Sequence, residues 1–238
     1  MQARRLILTA DDFGRSPTVN AAIGRWARAG ALTQASLLVN EAHAPEAVQL
    51  ARALPDLRVG LHLALCDGLA SDGTALPRSP AGAGFRYALL PWTHRWLARE
   101  ISAQFARFLA LGFPPTYWDG HAHLHLHPVV LAITLPIARQ HGFTFTRLVR
   151  EPGPRRILPA IFQLLSTHAA PALRAAGIGF ADRVFGLRQS GKMDRAEVAR
   201  ALRHATSGTT EIYFHPGAEK AISESDVVKL VRESAEKS

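Results

Sequence analysis

Short apolar runs alternate with longer amphipathic stretches along this chain, and Gly or Pro marks most of the joints. Residues 5–9, Arg-Leu-Ile-Leu-Thr, read as a buried strand that ends in the polar turn Ala10-Asp-Asp-Phe-Gly14. Ser16 then stands before Pro17, an N-cap followed by proline at the first helical position. The helix that follows carries Val19, Ala22, Ile23 and Trp26 on one face, and Gly30 stops it. A strand at 33–39, a helix at 45–54 and a third strand at 57–63 continue the rhythm. Residues 66–91 interrupt it with seven Gly and Pro residues and no period. Such a segment inside a compact domain reads as a long loop at an active site. Alternation then resumes: a helix at 92–111, a strand entering at Tyr117 and a helix from Pro128 to Arg139. Beyond these come a strand at 144–148, a loosely patterned helix around 161–165, a strand at 182–186 and a helix at 194–204. A strand at 210–214 and a short charged tail helix within 218–238 complete the chain. Strands alternating with helices predict parallel pairing through right-handed crossovers, an α/β fold of about seven strands.

Length and composition keep the whole chain, 1–238, to one domain, since α/β barrels reach about 250 residues as single units. No apolar run approaches the roughly 18 residues of a membrane span, and the apolar run before Asp11 is too short for a signal-peptide core. One cysteine, Cys66, allows no internal disulfide and fits a reducing compartment, so cytoplasm is the expectation. The net charge of +9 comes mainly from arginines such as Arg25, Arg99, Arg155 and Arg200, most of them on the polar side of predicted helices. No basic stripe interleaved with aromatics is present, which argues against nucleic acid. A weak attraction to an anionic membrane surface is compatible with the charge. Oligomeric state leaves no trace in the pattern.

The chemistry concentrates in Tyr117-Trp-Asp-Gly-His-Ala-His-Leu-His-Leu-His-Pro128. Asp119 and His121, His123, His125 and His127 fall at every second position. An extended backbone would turn them all one way and could bring two imidazoles onto one metal ion. A catalytic zinc keeps about three protein ligands and an open position, so other strands must contribute. Asp11 and Asp12 close the first strand, His62 lies near the end of the third, and His215 closes the last. In a parallel barrel those ends meet at one mouth. Neighbouring aspartate side chains diverge, so one can ligate while the other stays free as a base. Asp12, His62 and one histidine of the cluster make an O/N/N set suited to activating water, and His215 is placed to protonate a leaving amine. No phosphate-binding glycine motif is present, which lowers kinase and dehydrogenase readings.

Thr9-Ala-Asp-Asp-Phe-Gly14, Val39-Asn40, Val59-Gly-Leu-His62, Asp119-Gly-His-Ala-His-Leu-His125 and Phe214-His-Pro216 together resemble the YdjC-like carbohydrate deacetylases. The resemblance implies an incomplete or distorted (β/α) TIM-like barrel and one divalent metal ion, zinc or magnesium, with manganese also compatible. It implies removal of the acetyl group from an N-acetylated amino sugar. By the same resemblance Asp12, His62 and His121 hold the metal, Asp11 is the base and His215 the acid. Asp119 and His123 orient the metal-binding histidine from behind, and Asn40, Arg147 and Arg150 are candidate contacts to the sugar or to the site. The wording of the histidine stretch and of Val149-Arg-Glu-Pro152 is most similar to the branch associated with hopanoid biosynthesis. That branch implies a sugar carried on a polycyclic lipid, met at the inner membrane face. The alternatives are a soluble chito-oligosaccharide substrate and a non-catalytic metal- or sugar-binding protein at a membrane. The chain departs from the family after Gly217, where a short charged helix replaces a longer region.

Overall fold

The computed structural model describes residues 3–154 and 156–236. Arg155 and the outermost residues of the 1–238 domain therefore lie outside the described residues. Seven strands form one sheet: β1 (Arg5–Phe13), β2 (Gln34–Leu37), β3 (Arg58–Leu63), β4 (Tyr117–Gly120), β5 (Phe145–Thr146), β6 (Arg183–Phe185) and β7 (Thr209–Phe214). Their spatial order is β5-β4-β3-β2-β1-β7-β6, and every pairing is parallel. The free edges of β5 and β6 are drawn together by backbone bonds. Thr146 N donates to Gly179 O at 3.0 Å, Gly179 N to Thr144 O at 2.8 Å, and Val184 N to Arg150 O at 3.2 Å. The sheet thus curls into the incomplete α/β barrel that the sequence leads one to expect.

The helices cover the outer face of the sheet. They are α1 (Pro17–Arg28), α2 (Ala44–Arg52), α3 (Pro80–Leu89), α4 (His94–Ala110), α5 (Pro128–Gln140), α6 (Ile157–Ala175), α7 (Arg195–His204) and α8 (Glu224–Ala235). Ser16 caps α1 by accepting from Val19 N, and the helix buries Ile23 and Trp26, whose ring meets Phe214 at 5.3 Å. Phe105 of α4 packs on Trp118 of β4 and on Phe143. These contacts fix the strand ends relative to one another, which is what the site requires.

Three local expectations are corrected. The polar turn expected after residue 9 is strand: β1 runs to Phe13, with a bulge at the aspartates. Residues 66–91 are not wholly irregular, because Ser79 caps a ten-residue helix, α3. Its opening Pro-Ala-Gly-Ala-Gly gives it no apolar period to read. The histidine stretch is not extended. β4 stops at Gly120, and His121–Leu126 form a tight 3-10 turn in which Ala122 (φ 51°) and His123 (φ 58°) are left-handed. The chain folds back over Gly120, where a Cβ would come within 2.8 Å of His125 Nδ1. The histidines consequently diverge instead of lining one face.

Candidate active site

The bulge in β1 separates the two aspartates. Ala10 pairs with Ala35 and Phe13 with Leu37, so Asp11 and Asp12 together oppose the single residue Ser36. An extra residue in one strand re-aims side chains, and Asp12 takes a φ of 64°. Asp11 turns into the barrel, where Arg147 grips it with Nη1 2.7 Å from Oδ2 and Nη2 2.8 Å from Oδ1. Asp12 stays at the rim, its Oδ1 2.9 Å from His121 Nδ1 and 3.5 Å from His62 Nε2.

His62 Nδ1 lies 2.6 Å from Asp119 Oδ1, across the β3–β4 pairing that sets these residues side by side. The other carboxylate oxygen of Asp119 accepts from Ser36 Oγ at 2.8 Å and pairs with Arg147 Nη2 at 2.9 Å. Burial opposes charge on Asp119, but the Arg147 and His62 charges outweigh it and hold the carboxyl well below its ordinary range. Burial likewise opposes a proton on His62, and the Asp119 charge overcomes it, lifting the imidazole to about 10. Asp12 is desolvated too, yet the hydrogen bonds from His121 and His62 keep it well below the usual carboxylate value.

Asp12, His62 and His121 each offer one ligand atom, and these atoms lie within 4.8 Å of one another. With Asp119 holding Nδ1 of His62, its Nε2 is the atom left to ligate, a carboxylate–histidine arrangement that metal sites use. One oxygen and two nitrogens suit a divalent ion with an open position. The residues therefore fit the expected group. A second convergence, Asp11 with His62 and Asp119, already has its cation: the Arg147 guanidinium binds both carboxylates.

Arg147 is the centre of the barrel's polar filling. Its Nε donates to Glu211 Oε1 at 2.9 Å and its guanidinium lies 4.4 Å from the Tyr213 ring centroid. Only 1% of it is exposed, so it is not a surface residue, and its donors face Asp11, Asp119 and Glu211. Glu211 in turn accepts from Thr9 Oγ1, itself bonded by Gln34.

The other candidates fall outside the O/N/N cluster. His123 bonds Tyr213 Oη at 3.0 Å and stacks edge-on to Phe162. Asp119 backs His62 instead of His121. His125 Nε2 meets Arg147 O at 2.8 Å, and burial pushes its imidazole down to about 4. His127 abuts Gly84 of α3. Asn40 braces the loop: its amide donates to Glu100 Oε1 and Leu69 O, and its oxygen accepts from Arg107 and Ser71. Arg150 is half-buried with its guanidinium 5.3 Å from the Phe180 ring. His215 comes directly after β7, one residue beyond the Ala10–Phe214 pair, with its ring edge-on to Tyr213 at 5.8 Å.

Several participants went unread in the sequence. Glu219 accepts from His215 N at 2.7 Å, with His215 Nδ1 3.9 Å from the same oxygen, and burial raises its carboxyl. Asp67, in the 66–91 segment, lies 3.8 Å from His121 Nε2 and is held by Arg15 at 2.6 Å. Glu211 had a signal, a carboxylate inside an apolar strand. Asp67 had none.

A parallel α/β barrel with carboxylates and imidazoles gathered at its carboxyl rim is the frame of a barrel enzyme. Residues 5–237 match the family described as YdjC-like protein, and the chain belongs to that family. It is 33% identical to a mouse carbohydrate deacetylase over 90% of this chain and 78% of that one. It is 39% identical to a carbohydrate deacetylase of Brevibacillus brevis over 58% of this chain and 56% of that one. Among solved structures, an Enterococcus faecalis protein provisionally described as a cellobiose-phosphate cleavage protein superposes with a TM-score of 0.69. That likeness, at 19% identity, covers 99% of this chain and 95% of that one and concerns the fold.

Proposed function

We propose that this chain is a carbohydrate N-deacetylase, a hydrolase that removes the acetyl group from an N-acetylated amino sugar and releases acetate. The observation that carries the reading is the convergence of Asp12, His62 and His121 beside the Asp11–Arg147 pair. Membership of a family with curated carbohydrate deacetylases in mouse and Brevibacillus brevis supports it. A divalent ion held by Asp12, His62 and His121, zinc or magnesium, supplies a Lewis acid for water activation and for the acetyl carbonyl.

The remaining work belongs to the side chains. Asp119 fixes the ring of His62 so that Nε2 faces the rim. Arg147, anchored on Asp119 and Glu211, stops the Asp11 carboxylate from rotating. Each Asp11 oxygen gives one lone pair to Arg147 and keeps another. Asp11 takes a proton from the attacking water there, as general base. His215, just past the end of the adjoining strand β7, gives a proton to the departing amine. One proton is accepted and one donated per turnover, so the pair is reset by exchange with solvent after acetate leaves.

The sugar is an N-acetylglucosamine unit carried on a lipid, an N-acetylglucosaminyl hopanoid, in preference to a soluble chito-oligosaccharide. The enzyme meets it from the cytoplasm at the inner membrane face. Large apolar side chains exposed on α3 and α6 favour this reading. Among the described residues no helix is long and apolar enough to cross a membrane, so the contact is peripheral.

Acetate release from N-acetylglucosaminyl substrates tests the proposal. Chelation should abolish it, and Asp11→Asn should lower turnover by about two orders of magnitude or more while metal content holds. No acetate from any amino sugar would overturn the reading, and full turnover in the variant would remove Asp11 from its role.

A further inference from the structure

The positive charge is not spread evenly. Residues 73–181 contain eleven arginines, no lysine and three acidic residues, so this stretch carries eight of the nine net charges of the chain. Its acidic residues are withdrawn from the surface. Glu100 and Asp119 are buried, and Glu151 is held by Arg200 at 2.9 Å with its side chain almost fully covered. Arg78, Arg86, Arg95 and Arg156 are exposed. Setting aside the buried Arg147, the exposed charges of this stretch are cationic, and the exposed Asp72 that Trp96 Nε1 bonds at 3.4 Å borders them.

The same stretch holds a concentration of exposed large apolar side chains. Phe85 and Leu89 are 69% exposed, one helical turn apart on α3, and Trp92 in the following 3-10 turn is 74% exposed. On α6, Ile157, Ile161 and Leu164 stand at i, i+4 and i+7, with exposures of 84%, 48% and 71%. That spacing is an amphipathic stripe, yet it faces outward, while the buried side of α6 is made of Ser166, Ala169, Ala170 and Leu173. Both helices lie against the histidine turn. Gly84 of α3 meets His127, and Phe162 of α6 meets His123 with ring centroids 5.2 Å apart. The two helices that carry the apolar edges therefore both touch the histidine stretch.

We infer that these edges and their arginines form a docking surface for an anionic phospholipid bilayer, with α3, Trp92 and the first turns of α6 seated at the headgroup boundary. Apolar anchors beside cationic side chains, with an aromatic at the edge, are the chemistry of interfacial binding. Charge decides against a second copy of this chain as the occupant. A self-contact through this face would set Arg86, Arg95 and Arg156 against their copies, and the exposed Asp72 bonded by Trp96 is too little counter-charge to pair them. As an account of how a lipid-linked sugar reaches the site, the inference rests on the function proposed above; as a property of the surface it is tested apart from that function.

The test uses the full chain and flotation with phosphatidylcholine vesicles, with and without phosphatidylglycerol. The expected result is partition onto the anionic vesicles that weakens with added salt. Trp92→Ser with Leu164→Ser, and separately Arg86→Glu with Arg95→Glu, should each reduce partition about tenfold or more. Circular dichroism checks that both double variants are folded, and acetate release from a soluble N-acetylated sugar should be unchanged in them. No partition of the parent protein, or equal partition of folded variants, overturns the inference. Sedimentation showing concentration-dependent self-association that the apolar variant abolishes, without vesicle binding, assigns the face to a second copy instead. Vesicle binding without acetate release breaks only the catalytic reading; acetate release without vesicle binding breaks only this one.

Discussion

Arg147 and Trp92 occupy opposite circumstances: the arginine is 1% exposed in the middle of the barrel and the tryptophan 74% exposed on its rim. Ordinary patterning would have exchanged them. The Arg147 guanidinium is answered by Asp11, Asp119 and Glu211, and Asp119 is further bonded by Ser36 and His62 and Glu211 by Thr9. Around Trp92 no described residue covers the apolar surface. A buried charge network is costly to break because the survivors are left unpaired. A solvent-facing apolar edge contributes little to folding and can be changed with small effect. The contrast separates residues the fold depends on from residues free to serve contact with something else.

Arg147→Met offers the sharpest break. It leaves three carboxylates around an apolar side chain, and urea unfolding should show a loss of about 3–5 kcal/mol or failure to fold. A variant of unchanged stability would mean that the network is not what holds the carboxyl end together. Next in size, Asp119→Asn should weaken metal binding by about 10–100-fold with the fold retained, read by titration of the metal. Unaltered affinity would deny Asp119 its hold on His62.

The buried histidines give a pH signature. The imidazole of His125 is depressed to about 4 by burial and His123 is also held low, against about 6.5 in an unfolded chain. Between pH 6.5 and 4 the unfolded chain binds more protons, so stability falls as the pH drops through that window. Replacing His125 with Gln should flatten the acid limb by about 2 kcal/mol between pH 6.5 and 4.5, measured as unfolding free energy against pH. An acid limb as steep as the parent's would reject the assignment. At the small end, Leu164→Ser should shift stability by no more than about 0.5 kcal/mol. A larger loss in the same assay would mean that the α6 edge is part of the folding core.

The sequence made the strands and most helices readable because apolar runs and caps are local signals. It also pointed to Asp11, Asp12, His62 and His215, since a polar residue at the end of an apolar run is visible without knowing its neighbours. What stayed hidden depends on tertiary context. Nothing in Asp11-Asp12 announces that both oppose Ser36. The alternating histidines imitate a strand, and only the backbone crossing over Gly120 turns them into a tight loop. In the sequence Arg147 is a candidate contact to the sugar or the site, because no local feature reports that Asp11 on β1 and Glu211 on β7 wait for it inside the barrel. The helix α3 hid behind glycine and alanine.

The bulge in β1 has a consequence for how this site could be altered by insertion or deletion. Between Ala10 and Phe13 there are two residues where β2 has one. Shortening that interval by a single codon would restore even pairing of the strands and leave one carboxylate where there are now two. A regular strand of the same composition cannot send both neighbours into this half of the barrel, because its side chains alternate. The number of residues in this interval is thus as much a determinant of the site as their identity. A one-residue deletion here should be harsher on chemistry than either point substitution, even if the shortened strand pairs more evenly.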